Sequence, residues 1–256
     1  MHALLEHPVA MFVLFFAVLW LSALLGLYLS RKRPITDEEE QQQLGIIITA
    51  ALTLMGLVIG FSFSMAVSRY DERRGLEAAE ANAIGTEFVR AGLLGRADAV
   101  AVRKLLTAYV DQRILFYTSD DVGQLENIDK TTARLQDQLW SPVQSIATTN
   151  PTPVSALVAQ GMNDVLNSQA YTQAAWWNHI PVAAWALLAA IAISCNVLLG
   201  YNRKVGSTRS FIVLPLIMAT AFYLIAELDS PRGGLIRIKP LNLISVSEHL
   251  HSASVR

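Results

Sequence analysis

Cysteine is almost missing from this chain: Cys195 is the only one, which excludes a disulfide framework and a cysteine-based metal motif. Charge is scarce as well. Charged residues make up 16% of the chain and the net charge is −1, which argues against a broad basic surface for nucleic acid. No His-Glu-x-x-His, Cys-His pair or Gly-rich phosphate loop occurs, so the motifs that announce an enzyme, a metal or a cofactor are lacking. His2 and His7 lie near one end, and His249 and His251 lie in a polar carboxy-terminal tail. Long stretches without Lys, Arg or Asp are the last absence, and they are the most informative.

Four such stretches run Val9 to Leu29, Leu44 to Val67, Ile180 to Gly200 and Phe211 to Leu228, with Glu227 alone at the edge of the fourth. Each suffices to cross about 30 Å of hydrocarbon as a helix. Soluble helices keep a polar face, which these lack, and the continuous apolar runs exclude the alternating strands of a β-barrel. The first stretch has no Lys or Arg before it, whereas Arg31, Lys32 and Arg33 follow it, so it reads as a retained membrane helix and not as a signal peptide. The expected fold is all-α: four transmembrane helices in two pairs, with a helical extramembrane domain between the second and third. The corresponding boundaries are 1–67, 68–179, 180–228 and a polar tail over 229–256.

Thr36 or Asp37 is expected to cap the second membrane helix, with Glu38, Glu39 and Glu40 near its positive end. No proline interrupts the chain from Ile46 to Leu94, so that helix should continue well beyond the bilayer, with Gly75, Gly85 or Gly92 as sites of a bend. Helical stripes follow at Val102, Leu105, Leu106, Tyr109 and Val110, at Leu135, Leu139, Val143 and Ile146, and at Val154, Leu157, Val158, Met162, Val165 and Leu166. Breaks fall over Thr118 to Gly123 and Thr148 to Pro153. Trp176, Trp177 and His179 sit where an interfacial aromatic belt is expected.

Sidedness is not fixed by charge. Arg31, Lys32, Arg33, Arg203, Lys204 and Arg209 on the short connections balance Arg69, Arg73, Arg74, Arg232, Arg237 and Lys239 on the other side. An even number of spans places both termini and the central domain on one side.

On the second membrane helix, four-residue spacing aligns Gly56, Gly60, Ser64 and Ser68 in one stripe and Leu57, Phe61, Met65, Arg69 and Arg73 in the next. The first stripe is a packing signature for close helix approach. In an assembly around an axis, the second forms an apolar constriction with arginine rings at its mouth, a geometry that gates by dewetting and selects by sign. Alternatively those arginines are a solvated face, paired with nearby Asp71, Glu72, Glu77 and Glu80. After the fourth span, Glu227, Asp229, Pro231, Gly233 and Gly234 form a polar turn whose glycines would supply unusual backbone angles. Ion coordination by Glu227 and Asp229 is the competing reading, and it has too few ligands for calcium. Asn196 in the third span is expected to bond a neighbouring helix.

Gly60, Phe61, the run SMAVSRYDERR over Ser64 to Arg74, EANAIGT over Glu80 to Thr86, and DSPRGG over Asp229 to Gly234 together resemble the bestrophin-like family of bacterial membrane proteins. True bestrophins are pentameric ion channels whose second membrane helix lines the pore and whose helical domain is cytosolic. The resemblance therefore implies a homo-oligomer, Leu57, Phe61 and Met65 in the neck, an inorganic ion as partner, a bacterial inner-membrane location and a cytoplasmic domain. The turn DSPRGG lacks the Phe and the acidic cluster that follow it in calcium-gated bestrophins, so no calcium site carries over. The competing expectation is a non-conducting sensor or scaffold that signals through its helical domain.

Overall fold

The computed structural model describes residues 8–35, 37–202 and 210–254. Thr36, one of the two expected caps, lies outside the described residues, as do Arg203, Lys204 and Arg209 from the charge comparison, and His2 and His7. The described residues form helices α1 (Pro8–Lys32), α2 (Glu38–Arg90), α3 (Arg96–Thr118), α4 (Val122–Thr149), α5 (Pro153–Trp177), α6 (Val182–Tyr201), α7 (Ser210–Asp229) and α8 (Leu241–Ser254), with a short 3₁₀ turn over Ala91–Leu93. No strand occurs among them. The all-α class is as expected, and four helices are long and apolar enough to cross a membrane.

The chain divides into two compact units. The first comprises Met1–Tyr70 and His179–Arg237. Within it α1 packs against both α6 and α7. The contact with α6 is backbone-close: a Cβ added at Gly26 would run into the Val197 carbonyl, and one at Gly200 into the Ala23 carbonyl. Leu19, Met55, Trp185, Leu188, Phe222 and Ile225 fill the interior. Phe15 stacks edge-on against Phe222 at 4.9 Å, an aromatic contact worth about 0.5–1.5 kcal/mol beyond its buried area. Lipid is as apolar as these side chains, so dispersion and fit hold the bundle together. Hydroxyls inside it are satisfied locally, as when Ser22 donates to the Val18 carbonyl at 2.7 Å. Asn196 donates to its own helix at Ala192 and reaches the Met218 sulfur on α7 at 3.3 Å, the neighbouring-helix contact its position predicts.

The second unit comprises Asp71–Asn178 and Ile238–Arg256. Its core takes Val102, Leu106, Tyr109 and Val110 from α3, Leu139 and Val143 from α4, and Val158, Met162 and Val165 from α5, whereas Val154 and Leu157 are exposed. Asp121 caps α4 by accepting from the Gly123 amide, and Thr152 and Ser155 cap α5 reciprocally. Trp176 packs on Phe116 at 4.9 Å and on Tyr117 at 5.3 Å. It is therefore a core residue here and not part of a belt; Trp177 beside it is exposed.

The stretch read as a polar tail contains α8, with Leu243, Ser247 and Leu250 buried. Its first turn is capped from α2: Glu77 accepts from the Leu243 amide at 2.9 Å and from the Asn242 side chain at 2.6 Å. A charge on a distant helix thus satisfies the orphan donors that open α8.

Candidate functional site on the second helix

Asp37 starts α2 by accepting from the Glu39 amide at 3.1 Å, and Glu38, Glu39 and Glu40 occupy the first turn, where the helix dipole favours them. The helix then runs unbroken for 53 residues to Arg90, so Gly75 and Gly85 do not end it and Gly92 falls in the 3₁₀ turn beyond.

Along its apolar part only one narrow stripe is buried, at Ile48, Met55, Ser62 and Ala66. Seven- and four-residue steps separate these positions, as a helix with one covered face requires. The remainder is open: Leu57 is 55% exposed and Phe61 67%, with Met65 also exposed. Gly56 and Gly60 share that open side, and nothing lies within 4 Å of a Cβ added at either. Among the described residues of the membrane helices, the backbone-close glycine contact is instead the one at Gly26 and Gly200. Ser64 is exposed like its neighbours. Thr49 and Thr53 return their hydroxyls to the Gly45 and Thr49 carbonyls at 2.9 Å each. Together with Ile46, Ala50 and Leu54 they line an open groove ended by Glu38, Gln41, Gln42 and Asn202.

The two arginines of the stripe part company. Arg69 is partly covered and pairs with Asp229 at 3.9 Å. Arg73 is 1% exposed, and its guanidinium donates to the Ala175 and Asn178 carbonyls at 3.0 and 2.9 Å. It closes the carboxy-terminal end of α5, where a cation suits the dipole, so neither a ring at an open mouth nor a solvated face describes it. Glu77 and Glu80 are equally buried, which corrects the solvated-face reading for them too. Glu80 takes hydrogen bonds from Arg113, from Tyr117 at 3.4 Å and from Thr172 at 3.1 Å. Burial pushes the Tyr117 phenol up, and Glu80 adds to that. Burial alone would lower Arg113, but Glu80 beside it holds the guanidinium above its usual value.

Glu227 and Asp229, expected in the turn, belong to the end of α7 itself; Glu227 is buried and accepts from the Leu235 and Ile236 amides of the turn that follows at 2.8 and 3.1 Å. Asp229 accepts from the Ile180 amide at 3.1 and 3.0 Å through its two oxygens, holding the segment that leads into α6. Gly233 donates to Ser230 at 3.1 Å and Pro231 is half-buried. No described glycine has a positive φ, so unusual backbone angles are not why glycine stands here. Gly234 supplies space: a Cβ there would collide with the Glu227 carboxylate. Both carboxylates are thus used as backbone acceptors.

Sequence reasoning did not single out Glu87, Arg113 or Thr172. A signal was present for Glu87, because Arg73, Glu77, Glu80, Ile84, Glu87 and Ala91 follow three- and four-residue steps along one face. Charges that keep step with Ile84 and Ala91 belong to the inside.

The Bestrophin-like domain family matches the sequence over residues 13–243. No curated protein matches it in sequence. Among solved structures, a bacterial bestrophin homologue from Klebsiella pneumoniae aligns with a TM-score of 0.66 at 14% identity, covering 95% of this chain and 98% of that one. A point variant of a bacterial bestrophin homologue from the same organism gives 0.68 at 14%, covering 97% and 98%. A crystal structure described as a membrane protein variant gives 0.66 at 15%, covering 95% and 98%. At such identities the likeness shows a common fold.

Proposed function

Since the chain belongs to the bestrophin-like family, we propose that it assembles with copies of itself around α2 and conducts an inorganic ion across the bacterial inner membrane, with its helical domain in the cytoplasm. The observation that carries this reading is the uncovered side of α2. A face meant only for lipid has no need of Thr49, Thr53, Gly56, Gly60 and Ser64 beside Leu57 and Phe61, whereas small and hydroxyl side chains suit close helix neighbours or water.

Leu57, Phe61 and Met65 form the constriction. Rings of such side chains exclude water when narrow and admit it when a small rotation of the helix widens them. Arg73 has no part in the pathway, being buried with its guanidinium donating to the Ala175 and Asn178 carbonyls, and Arg69 reaches the pathway only to the extent that Asp229 releases it. Glu227, Asp229 and Gly234 fix the turn after α7 and are positioning residues.

Ion flux into liposomes containing the purified protein tests this. Flux is expected from the wild-type protein, and more from Phe61→Ala, whose shorter side chain widens the constriction. Flux unchanged by Phe61→Ala would remove the gate from this residue. No flux above empty liposomes from either protein would sink conduction and leave a sensor or scaffold acting through the helical domain.

A further inference from the structure

Glu87 lies on α2 beyond the apolar segment, inside the second unit, and is 0% exposed. Neither carboxylate oxygen has a hydrogen-bond partner. The contrast with Glu80, which has three donors around it, is chemical as well as geometric, because an unpartnered buried carboxylate is far costlier when ionised than when neutral. The side chain presses on Gly161 of α5, where an added Cβ would strike the Glu87 Oε2 and meet Arg90 Nη1. The charged groups bearing on it are Arg90 from its own helix and Asp164 from α5, of opposite sign. Asp164 is exposed and accepts from Gln160 at 3.1 Å.

We propose that Glu87 is a proton-binding site, neutral while α2 packs on Gly161 of α5, and that its ionisation loosens this packing, so that the helical domain responds to pH. Burial, the largest influence, pushes the carboxyl up from 4.5 to about 8; Arg90 opposes this and Asp164 adds to it. Below about 4.5 the folded and unfolded chains both hold the proton. Between about 4.5 and about 8 only the folded chain holds it, so the stability this group contributes falls as pH rises through that window and levels off above it. The loosening is a property of the domain and does not require that the protein conduct.

Hydrogen–deuterium exchange on the full chain in nanodiscs, corrected for intrinsic rates, reads this directly. From about pH 6 to about pH 9, protection of α5 around Gly161 is expected to fall by about tenfold or more in the wild-type protein and to hold in Glu87→Gln. The same pH dependence in both proteins would overturn the proposal. Infrared spectra of the wild-type protein provide a second measurement that needs no stable variant. A protonated-carboxyl C=O band should be present at about pH 6 and lost at about pH 9. A spectrum without that band at the lower pH would mean that Glu87 is already ionised, and would equally overturn it.

Discussion

Between Leu44 and Val67, α2 leaves Leu57 and Phe61 uncovered and buries little; between Arg73 and Ala91 the same helix buries Arg73, Glu77, Glu80 and Glu87. Only 11% of its most apolar window is buried, against 44% for α7. The usual correspondence between apolarity and burial is therefore inverted along one helix. In the apolar half the surroundings are lipid or, in the proposed assembly, further copies of the chain, so exposure of Phe61 carries no penalty. In the charged half each buried group is held because another element supplies its counterpart. Arg73 takes the end of α5, Glu77 the start of α8 and Glu80 the guanidinium of Arg113. Glu87 departs from that pattern.

The comparison breaks most severely at the buried pair. Arg113→Leu leaves the buried Glu80 carboxyl without its main donor and should cost about 3–5 kcal/mol in denaturant unfolding; replacing Glu80 by Leu as well should recover much of the loss. Gly200→Ala comes next. Its Cβ meets the Ala23 carbonyl in the α1–α6 contact, and overpacking of this kind costs about 1–3 kcal/mol, read as a lower melting temperature in detergent. Gly234→Ala pushes Glu227 off the Leu235 and Ile236 amides, and at about 0.5–1.5 kcal/mol per hydrogen bond the loss is of order 1–3 kcal/mol. Gly56→Ala should have the smallest effect on the single chain, a gain of up to about 1 kcal/mol from helix propensity, since its Cβ meets nothing. Its value is diagnostic: altered assembly or flux with unimpaired stability would locate the contact at Gly56 outside the chain, whereas a destabilised monomer would contradict the open face.

The four membrane helices, the long second helix and the helical domain were legible because their signals are local: unbroken apolar runs, an absence of proline and stripes at helical spacing. Asp37 as a cap was legible for the same reason. Partnerships were not. Nothing near Arg73 in the sequence announces that its donors go to Ala175 and Asn178, and neighbouring Glu77 looks like its ion-pair partner on a solvated face. Helix α8 escaped notice because its buried stripe runs Leu243, Ser247, Leu250, with a serine where an apolar residue would have marked the period. The glycines of the turn were legible as special but for a different reason, since a requirement for space beside Glu227 depends on a contact that only the fold creates.

Accessibility of α2 to a membrane-impermeant thiol reagent tests the central claim most directly. Cys195 is buried, so it offers little background against cysteines introduced by Leu57→Cys, Phe61→Cys and Ser64→Cys, compared with Leu21→Cys on the exposed side of α1. The account predicts that the α2 positions react from the aqueous phase in intact proteoliposomes and that Leu21→Cys does not. Reaction at none of the α2 positions, with all four as inert as a lipid-facing site, would contradict it.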